Sequence, residues 1–249
     1  MRPLFYKVRY MLKENVIKWV KDYFEKNNNP KAIVGISGGT DSSVVATILV
    51  EALGRENVIG VLMPCGIQHD IDVSLALVKY LNIEYHVINI LEPVSKLREL
   101  IGNELDLDPD SFDAYKTNTP ARIRMTTLYG ISAIYGGRVA NTCNLSEDYI
   151  GYSTKFGDAA GDFSVLSSFT KTEVRLLGKE LNLPDIFINK VPEDGMSGKS
   201  DEEKLGFTYE VLDKYIRTGI IEDLEIKKKI DRLHQMNLHK ILPMPKYGE

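Results

Sequence analysis

The stretch Ile33-Val34-Gly35-Ile36-Ser37-Gly38-Gly39-Thr40-Asp41-Ser42-Ser43 decides the fold. It reads as a short buried strand, a Gly-rich turn and the first turn of a helix. Such a turn aims backbone N–H groups and the positive end of a helix dipole at an anion, most often phosphate. The common nucleotide loop, G-x-x-x-x-G-K-[ST], sets a Lys against the phosphates, whereas this loop carries Asp41 and no Lys. A carboxylate beside phosphate is repulsive unless a divalent cation lies between them, so Asp41 implies Mg²⁺ as well as phosphate. A lone Gly-Gly would be only a tight turn, with Asp41 and Ser42 capping the helix. Ser37 and Asp41-Ser42 around the glycines, directly after an apolar strand, favour a nucleotide.

Outward from this turn the pattern is regular. Val16, Val20 and Phe24, with Ile17 and Tyr23, predict an amphipathic helix before the strand Ala32–Ile36. Val44, Val45, Ile48, Leu49 and Ala52 form the buried face of the next helix. A strand Val58–Met63, a helix Asp70–Leu81 and a strand Tyr85–Ile90 follow. Alternation at this spacing predicts an α/β fold, a parallel sheet with helices on both faces. In such sheets ligands bind beyond the carboxyl ends of the strands, where the Gly38-Gly39 turn falls.

Further along, Asp106 to Pro120 is expected to be a mobile loop, with Pro120 opening a helix that carries Leu128, Ile131, Ile134 and Tyr135. Gly136-Gly137 ends that helix, and Arg138-Val139-Ala140 begins a short strand. Thr170 to Glu173 has the capping-box pattern ahead of a helix with Val174, Leu177 and Leu181. Residues 189–204 are expected to form a second mobile loop, and two helices with a Pro-punctuated tail complete a single domain spanning 1–249.

Composition narrows the function. The 249 residues suffice for a full core, and 43% hydrophobic with 27% charged content is ordinary for a soluble globular protein. A net charge of −4 gives no footprint for nucleic acid. No apolar run approaches a membrane span. Cys65 and Cys143 form no C-x-x-C, which argues against a zinc ribbon and for a reducing, cytoplasmic setting.

Asn141 to Lys171 is dense in groups that do not help a core: Thr142, Glu147, Asp148, Lys155, Asp158, Asp162 and Lys171, among Gly151, Gly157 and Gly161. An exposed, solvated loop is the bland reading. Two features oppose it. The segment leaves a buried strand, and so sits at the same sheet edge as the phosphate turn. It also mixes both signs of charge among small residues, as a site for an anionic nucleotide and a metal requires.

The Ser37–Ser42 string resembles the SGGxDS pyrophosphate loop of the adenylating ATP pyrophosphatases. Thr142 to Glu147 and Ser153 to Asp162 narrow the resemblance to the NAD synthetase family, whose pattern reads G-T-x-x-x-x-E, then F-T-K-[YF]-G-D-x-x-x-D. Pro120 to Met125 is similar to its K-A-R-x-R-M, Leu166 to Val174 to its P-L-x-x-L-T-K, and Asp201 to Gly206 to its D-E-x-x-L-G. His239-Lys240 followed by two prolines matches too, so the likeness covers nearly the whole chain.

The resemblance implies a Rossmann-like three-layer sandwich of the adenine nucleotide alpha hydrolase type. It also implies amidation of deamido-NAD with ammonia and ATP, through adenylation of the nicotinate carboxylate and release of pyrophosphate. Carried over by position, Gly35, Ser37, Gly38, Gly39, Thr40, Asp41 and Ser42 would hold ATP, with Thr142 contacting it and Lys171 neutralising the transferring phosphate. Asp41 and Glu147 would bind Mg²⁺. Arg122, Lys155, Asp162, His239 and Lys240 would hold deamido-NAD, and Asp158 would orient ammonia or accept its proton. A homodimer is expected from the same likeness.

Three departures stand out. Pro192 is followed by Glu193 where relatives carry Ser or Thr, with Ser197 or Lys199 as substitutes for the lost contact. Cys143 replaces a common Asp, and Cys65 a common Tyr. No glutaminase is legible, so free ammonia or a separate ammonia-supplying protein is expected to provide nitrogen. The competing readings are a tRNA sulfurtransferase relaying sulfur through Cys65 and Cys143, and a non-enzymatic ATP sensor.

Overall fold

In the computed structural model the described residues are 2–68, 70–107, 112–189 and 200–248, the side chains of 2–11 excepted. Helix α1 (Arg2–Lys26) leads into β1 (Ala32–Gly35), α2 (Thr40–Leu53), β2 (Val58–Leu62), α3 (Ile71–Leu81) and β3 (Glu84–Val87). Two successive helices, α4 (Leu91–Leu105) and α5 (Asp113–Tyr135), precede β4 (Arg138–Asn141). After α6 (Leu145–Ile150) a turn-rich loop reaches the short strand β5 (Phe163–Ser164). Then come α7 (Lys171–Glu180), α8 (Asp185–Ile188), α9 (Asp201–Leu205), α10 (Tyr209–Thr218) and α11 (Leu224–Ile241).

The five strands form one parallel sheet in the order β3-β2-β1-β4-β5. Strands β1 and β2 are apolar throughout because helices cover both of their faces. On one face α1, α2, α3, α7 and α8 bury Val20, Phe24, Ile48, Leu77 and Leu177. On the other, α4 and α5 bury Val94, Met125, Leu128 and Ile131 against Ile33 and Val61. The result is a Rossmann-like three-layer sandwich. A smaller third core joins α6, α10 and α11 through Ile150, Tyr209, Leu212 and Ile230. Among the described residues no helix is long and apolar enough to cross a membrane.

Strand order places the site. The chain runs outward from β1 to β2 and β3, then returns to the far side of β1 as β4. The connections after β1 and β4 therefore part in opposite directions, leaving a crevice at the carboxyl edge between them.

The expected loop 106–120 is corrected. Helix α5 begins at Asp113, so Pro120 lies inside it rather than at its start. An interior proline costs about 3 kcal/mol, and tertiary anchors offset it. Phe112 is buried and packs edge-on to Tyr115 at 5.6 Å between ring centroids, with Arg98 5.0 Å over the Phe112 ring. The Tyr115 hydroxyl donates to the Val94 carbonyl at 2.7 Å. The expected loop 189–204 is also shortened, because Ser200 caps α9 over Asp201–Leu205. Residues 190–199, including Glu193, Ser197 and Lys199, lie outside the described part, as do 108–111.

Gly151 closes α6 in the left-handed conformation, φ 63°, and a Cβ there would lie 2.1 Å from Asn237 Cβ on α11. The Gly151→Ala protein is expected to lose at least about 2 kcal/mol, from left-handed strain and from pushing α11 off the third core. Urea unfolding with an unchanged m-value would check this.

Candidate active site

The turn after β1 is built for an anion. Gly38 takes φ 78°, which favours glycine, and Gly39 starts α2 with no side chain capping it. Ser37 and Ser42 brace the turn from inside. Their hydroxyls lie 3.0 Å apart, the Gly39 N–H donates to Ser37 Oγ at 3.2 Å, and Ser42 Oγ reaches the Gly39 carbonyl at 3.2 Å. Thr40 is turned the other way and donates to the Ile188 carbonyl at 2.9 Å, tying the turn to α8.

Across the crevice, β4 ends at Asn141 and the chain turns into α6. Asn144 and Glu147 form a reciprocal capping box at the start of that helix: the Glu147 N–H donates to Asn144 Oδ1 at 3.1 Å, and the Asn144 N–H meets Glu147 Oε2 at 3.4 Å. Asn144 Nδ2 also donates to Asp41 Oδ1 at 3.0 Å. One residue thus caps α6 and fixes a carboxylate on α2.

Lys171, at the first position of α7, completes the group. It is 3% exposed, and its ammonium pairs with Asp41 Oδ2 and, at 3.2 Å, with Glu147 Oε1. Its backbone N–H donates to Ser146 Oγ at 2.9 Å, and Asp213 on α10 receives Ser146 Oγ and the Thr172 N–H. Burial alone would lower the Lys171 pKa, but Asp41 and Glu147 outweigh it and raise it, so the side chain stays cationic. Burial pushes Glu147 up to about 7, with Lys171 pulling it down and Asp41 pushing it up. The ring of Tyr209 lies 5.5 Å from the ammonium, and its buried hydroxyl has no partner among the described residues.

The donor set fits Mg²⁺. Two carboxylates converge on a single positive charge beside an anion-binding turn, and Mg²⁺ uses one or two carboxylates together with substrate phosphates and water. The Lys171 ammonium stands between the same oxygens.

The other expected residues lie along the same edge. Asp158 accepts the Thr154 N–H at 2.9 Å, and its carbonyl is held by Asn141 Nδ2 at 2.8 Å. Its pKa is raised by desolvation, with the Thr154 N–H and Lys240 opposing. Arg122 Nε donates to the Lys155 carbonyl at 3.2 Å, and Lys155 reaches the His239 carbonyl. Lys240 donates to the Gly151 carbonyl at 2.7 Å. The structure thus brings Arg122, Lys155, Asp158, His239 and Lys240 into one neighbourhood. Asp162 is held apart: its carboxylate accepts the Val139 N–H at 2.7 Å and the Tyr129 hydroxyl at 3.3 Å, bracing β4.

Sequence reasoning assigned no role to Asn144, Tyr209, Phe156 or Arg124. The N-x-x-E spacing could have revealed Asn144. Phe156 takes φ 65° and is 63% exposed, unusual for a bulky residue; the aromatic place in the F-T-K-[YF]-G-D pattern could have singled it out. Arg124 donates to the Met63 carbonyl at 3.0 Å and lies near both Cys65 and Asp158. Cys143 is buried and donates to the Asp158 carbonyl at 3.2 Å. Burial and nearby carboxylates push its thiol well above the usual range, which disfavours a sulfur relay.

The profile of the family described as NAD synthase matches residues 12–246. The chain is 35% identical to the NH(3)-dependent NAD(+) synthetase of Carboxydothermus hydrogenoformans, over 91% of this chain and 93% of that protein. Among solved structures it resembles an NMN synthetase from Francisella tularensis, TM-score 0.86 at 28% identity, covering 97% of this chain and 99% of that one. It also resembles the NH3-dependent NAD synthetase from Campylobacter jejuni, TM-score 0.75 at 30% identity, over 97% and 99% of the two chains.

Half-buried Asp148 has its pKa raised from 3.8 to about 6 by burial, with Asp158 adding to it. The native state therefore binds this proton more tightly than the unfolded chain, and its stability falls as pH rises from about 4 through about 6. Asp148→Asn is expected to melt with the parent protein at pH 4 and above it at pH 8, as scanning calorimetry would read.

Proposed function

The chain belongs to the NAD synthase family, and from that premise we propose that it adenylates the nicotinate carboxylate of deamido-NAD with ATP and amidates it with ammonia. The observation that carries this reading is the meeting of Asp41, Glu147 and Lys171 beside the anion-binding turn, at the crevice between β1 and β4.

A carboxylate resists ammonia because its oxygen is a poor leaving group. In the first half-reaction a carboxylate oxygen bonds to the α-phosphorus of ATP, the bond to the bridging oxygen breaks, and pyrophosphate leaves with the electron pair. Gly35 to Ser42 cradle the departing phosphates with N–H groups and the α2 dipole. Thr142 lies at the same strand edge for a further ATP contact. Lys171 supplies positive charge where negative charge builds. Mg²⁺, held by Asp41 and Glu147, would screen the phosphates.

In the second half-reaction the ammonia nitrogen adds to the acyl carbon, the carbon–oxygen bond to AMP breaks, and AMP leaves with the electron pair. The surplus proton goes to Asp158, whose carboxylate is made more basic than an exposed one by desolvation. Arg122, Lys155, His239 and Lys240 give the basic wall that two phosphates and a carboxylate require. Asp162 contributes by holding β4 and the loop that follows it. The exposed Phe156 ring offers an apolar face to a pyridine ring.

Edge strand β3 with α4 and α5 leaves Val87, Leu100, Leu105 and Ile134 exposed, a face that suits a second copy of the chain. The unpaired cysteines fit a reducing cytoplasm. Nitrogen would come as free ammonia or from a separate supplying protein.

The test incubates protein, ATP, Mg²⁺ and ammonium with deamido-NAD, and in parallel with nicotinate mononucleotide, because the Francisella relative is an NMN synthetase. NAD, AMP and pyrophosphate should appear together with deamido-NAD. Failure of the folded protein to form NAD would overturn the reading. Product formation that survives Cys65→Ser with Cys143→Ser excludes a sulfurtransferase, and turnover itself excludes a sensor. Asp41→Asn should lower ATP–pyrophosphate exchange by about 100-fold or more. Asp158→Asn should spare exchange and slow the ammonia step by about 100-fold; equal loss in both would remove Asp158 from its role.

A further inference from the structure

We propose that Asn141 is a positioning residue for the ammonia step, its carboxamide fixing the backbone at Asp158 so that the carboxylate is presented to the incoming nitrogen. This rests on the role given to Asp158 above. Asn141 ends β4 and is 6% exposed. Its Nδ2 donates to the Asp158 carbonyl at 2.8 Å and to the Ala160 carbonyl at 3.0 Å. Its Oδ1 accepts the Cys143 N–H at 2.9 Å and Ser164 Oγ at 3.2 Å. A primary amide has two donors and two acceptor lone pairs, and here all four are used.

The loop it holds is partly closed on itself; from outside, Arg122 meets the Lys155 carbonyl and Asn118 accepts the Thr154 hydroxyl, both ahead of Asp158 in the chain. Thr154 N–H reaches Asp158 Oδ1, and the N–H groups of Gly157, Ala159 and Ala160 bond to carbonyls within the loop. The carbonyls of Asp158 and Ala160 face β4, and Asn141 meets both. The Cys143 thiol adds a weaker bond to the same Asp158 carbonyl. Gly161 then presses the loop onto the strand: a Cβ there would fall 2.8 Å from Asn141 Cβ and from its backbone nitrogen. The carboxamide therefore sets both the height and the tilt of the segment carrying Asp158. Displacing a reacting group by about 1 Å costs on the order of 100-fold in rate, so a bond set of this completeness bears on the chemistry.

The two halves of the amide can be separated. Asn141→Asp keeps the acceptors for Cys143 and Ser164 and removes both donors to the Asp158 loop. Its exchange of ATP with pyrophosphate, measured with deamido-NAD and without ammonium, should stay within about twofold of the parent. Its KM for ammonium should rise by about tenfold or more. Ser164→Ala, which loses only an acceptor-side partner, should leave both readings unchanged. Should Asn141→Asp melt below the assay temperature, Asn141→Gly is measured in its place with the same expectation. A parallel fall in exchange and amidation, an unchanged ammonium KM, or an equal effect of Ser164→Ala would each overturn the inference. Asp158→Asn run alongside separates the two readings. If it spares the ammonia step, the role of Asp158 fails; if it impairs that step while Asn141→Asp does not, only the role of Asn141 fails.

Discussion

The buried pairing of Lys171 with Asp41 and Glu147 is the interaction on which the rest depends. Two carboxylates from opposite sides of a crevice cannot be desolvated together without a positive charge. Lys171 supplies that charge from α7, and so joins α2, α6 and α7 at one point. Removing a single partner of such a group costs about 3–5 kcal/mol, because the others are left buried and uncompensated. The positive charge is covalently part of the chain, so the two carboxylates are partly compensated by the protein itself.

The local structures around that point each serve two ends. The Asn144–Glu147 capping box satisfies the first turn of a six-residue helix too short to persist alone, and it also aims Glu147 and anchors Asp41. Asp213 receives the Thr172 N–H at the start of α7 and the Ser146 hydroxyl, so the small third core is tied directly to the helix that carries Lys171. Asp162 uses its carboxylate on the backbone of β4, and Asn141 uses its amide on the loop beyond it. Polar groups that look like ligand contacts in the sequence thus include some whose side chains are spent on holding the backbone.

Much of this was legible because it is written in local chemistry. The apolar runs of β1 and β2, the capping box of α7, and the glycines after β1 carry their structure in a few adjacent residues. Helix α4 was passed over, its exposed Leu97, Leu100 and Leu105 giving only a narrow buried stripe. The two-residue strand β5 exists only because β4 is beside it. Pro120 misled because the anchors that override it, Phe112 and Tyr115, act through side-chain contacts with the preceding helix α4 that no local pattern announces. The depth of Lys171 was equally hidden, since its carboxylate partners lie elsewhere along the chain.

That distance has a consequence for how the protein comes to exist. Asp41 meets Asn144 across 103 positions and Lys171 across 130. Strand β1 cannot complete its crevice until β4 has docked on its far side, and β4 follows it only after four α-helices and two strands. Contacts closed over such spans are slow to form. A partly synthesised chain therefore holds Asp41 as a carboxylate on an open sheet edge, without its Asn144 and Lys171 partners. The cluster is complete only when α7, carrying Lys171, has followed β4 and β5 and closed onto the turn where the sheet began.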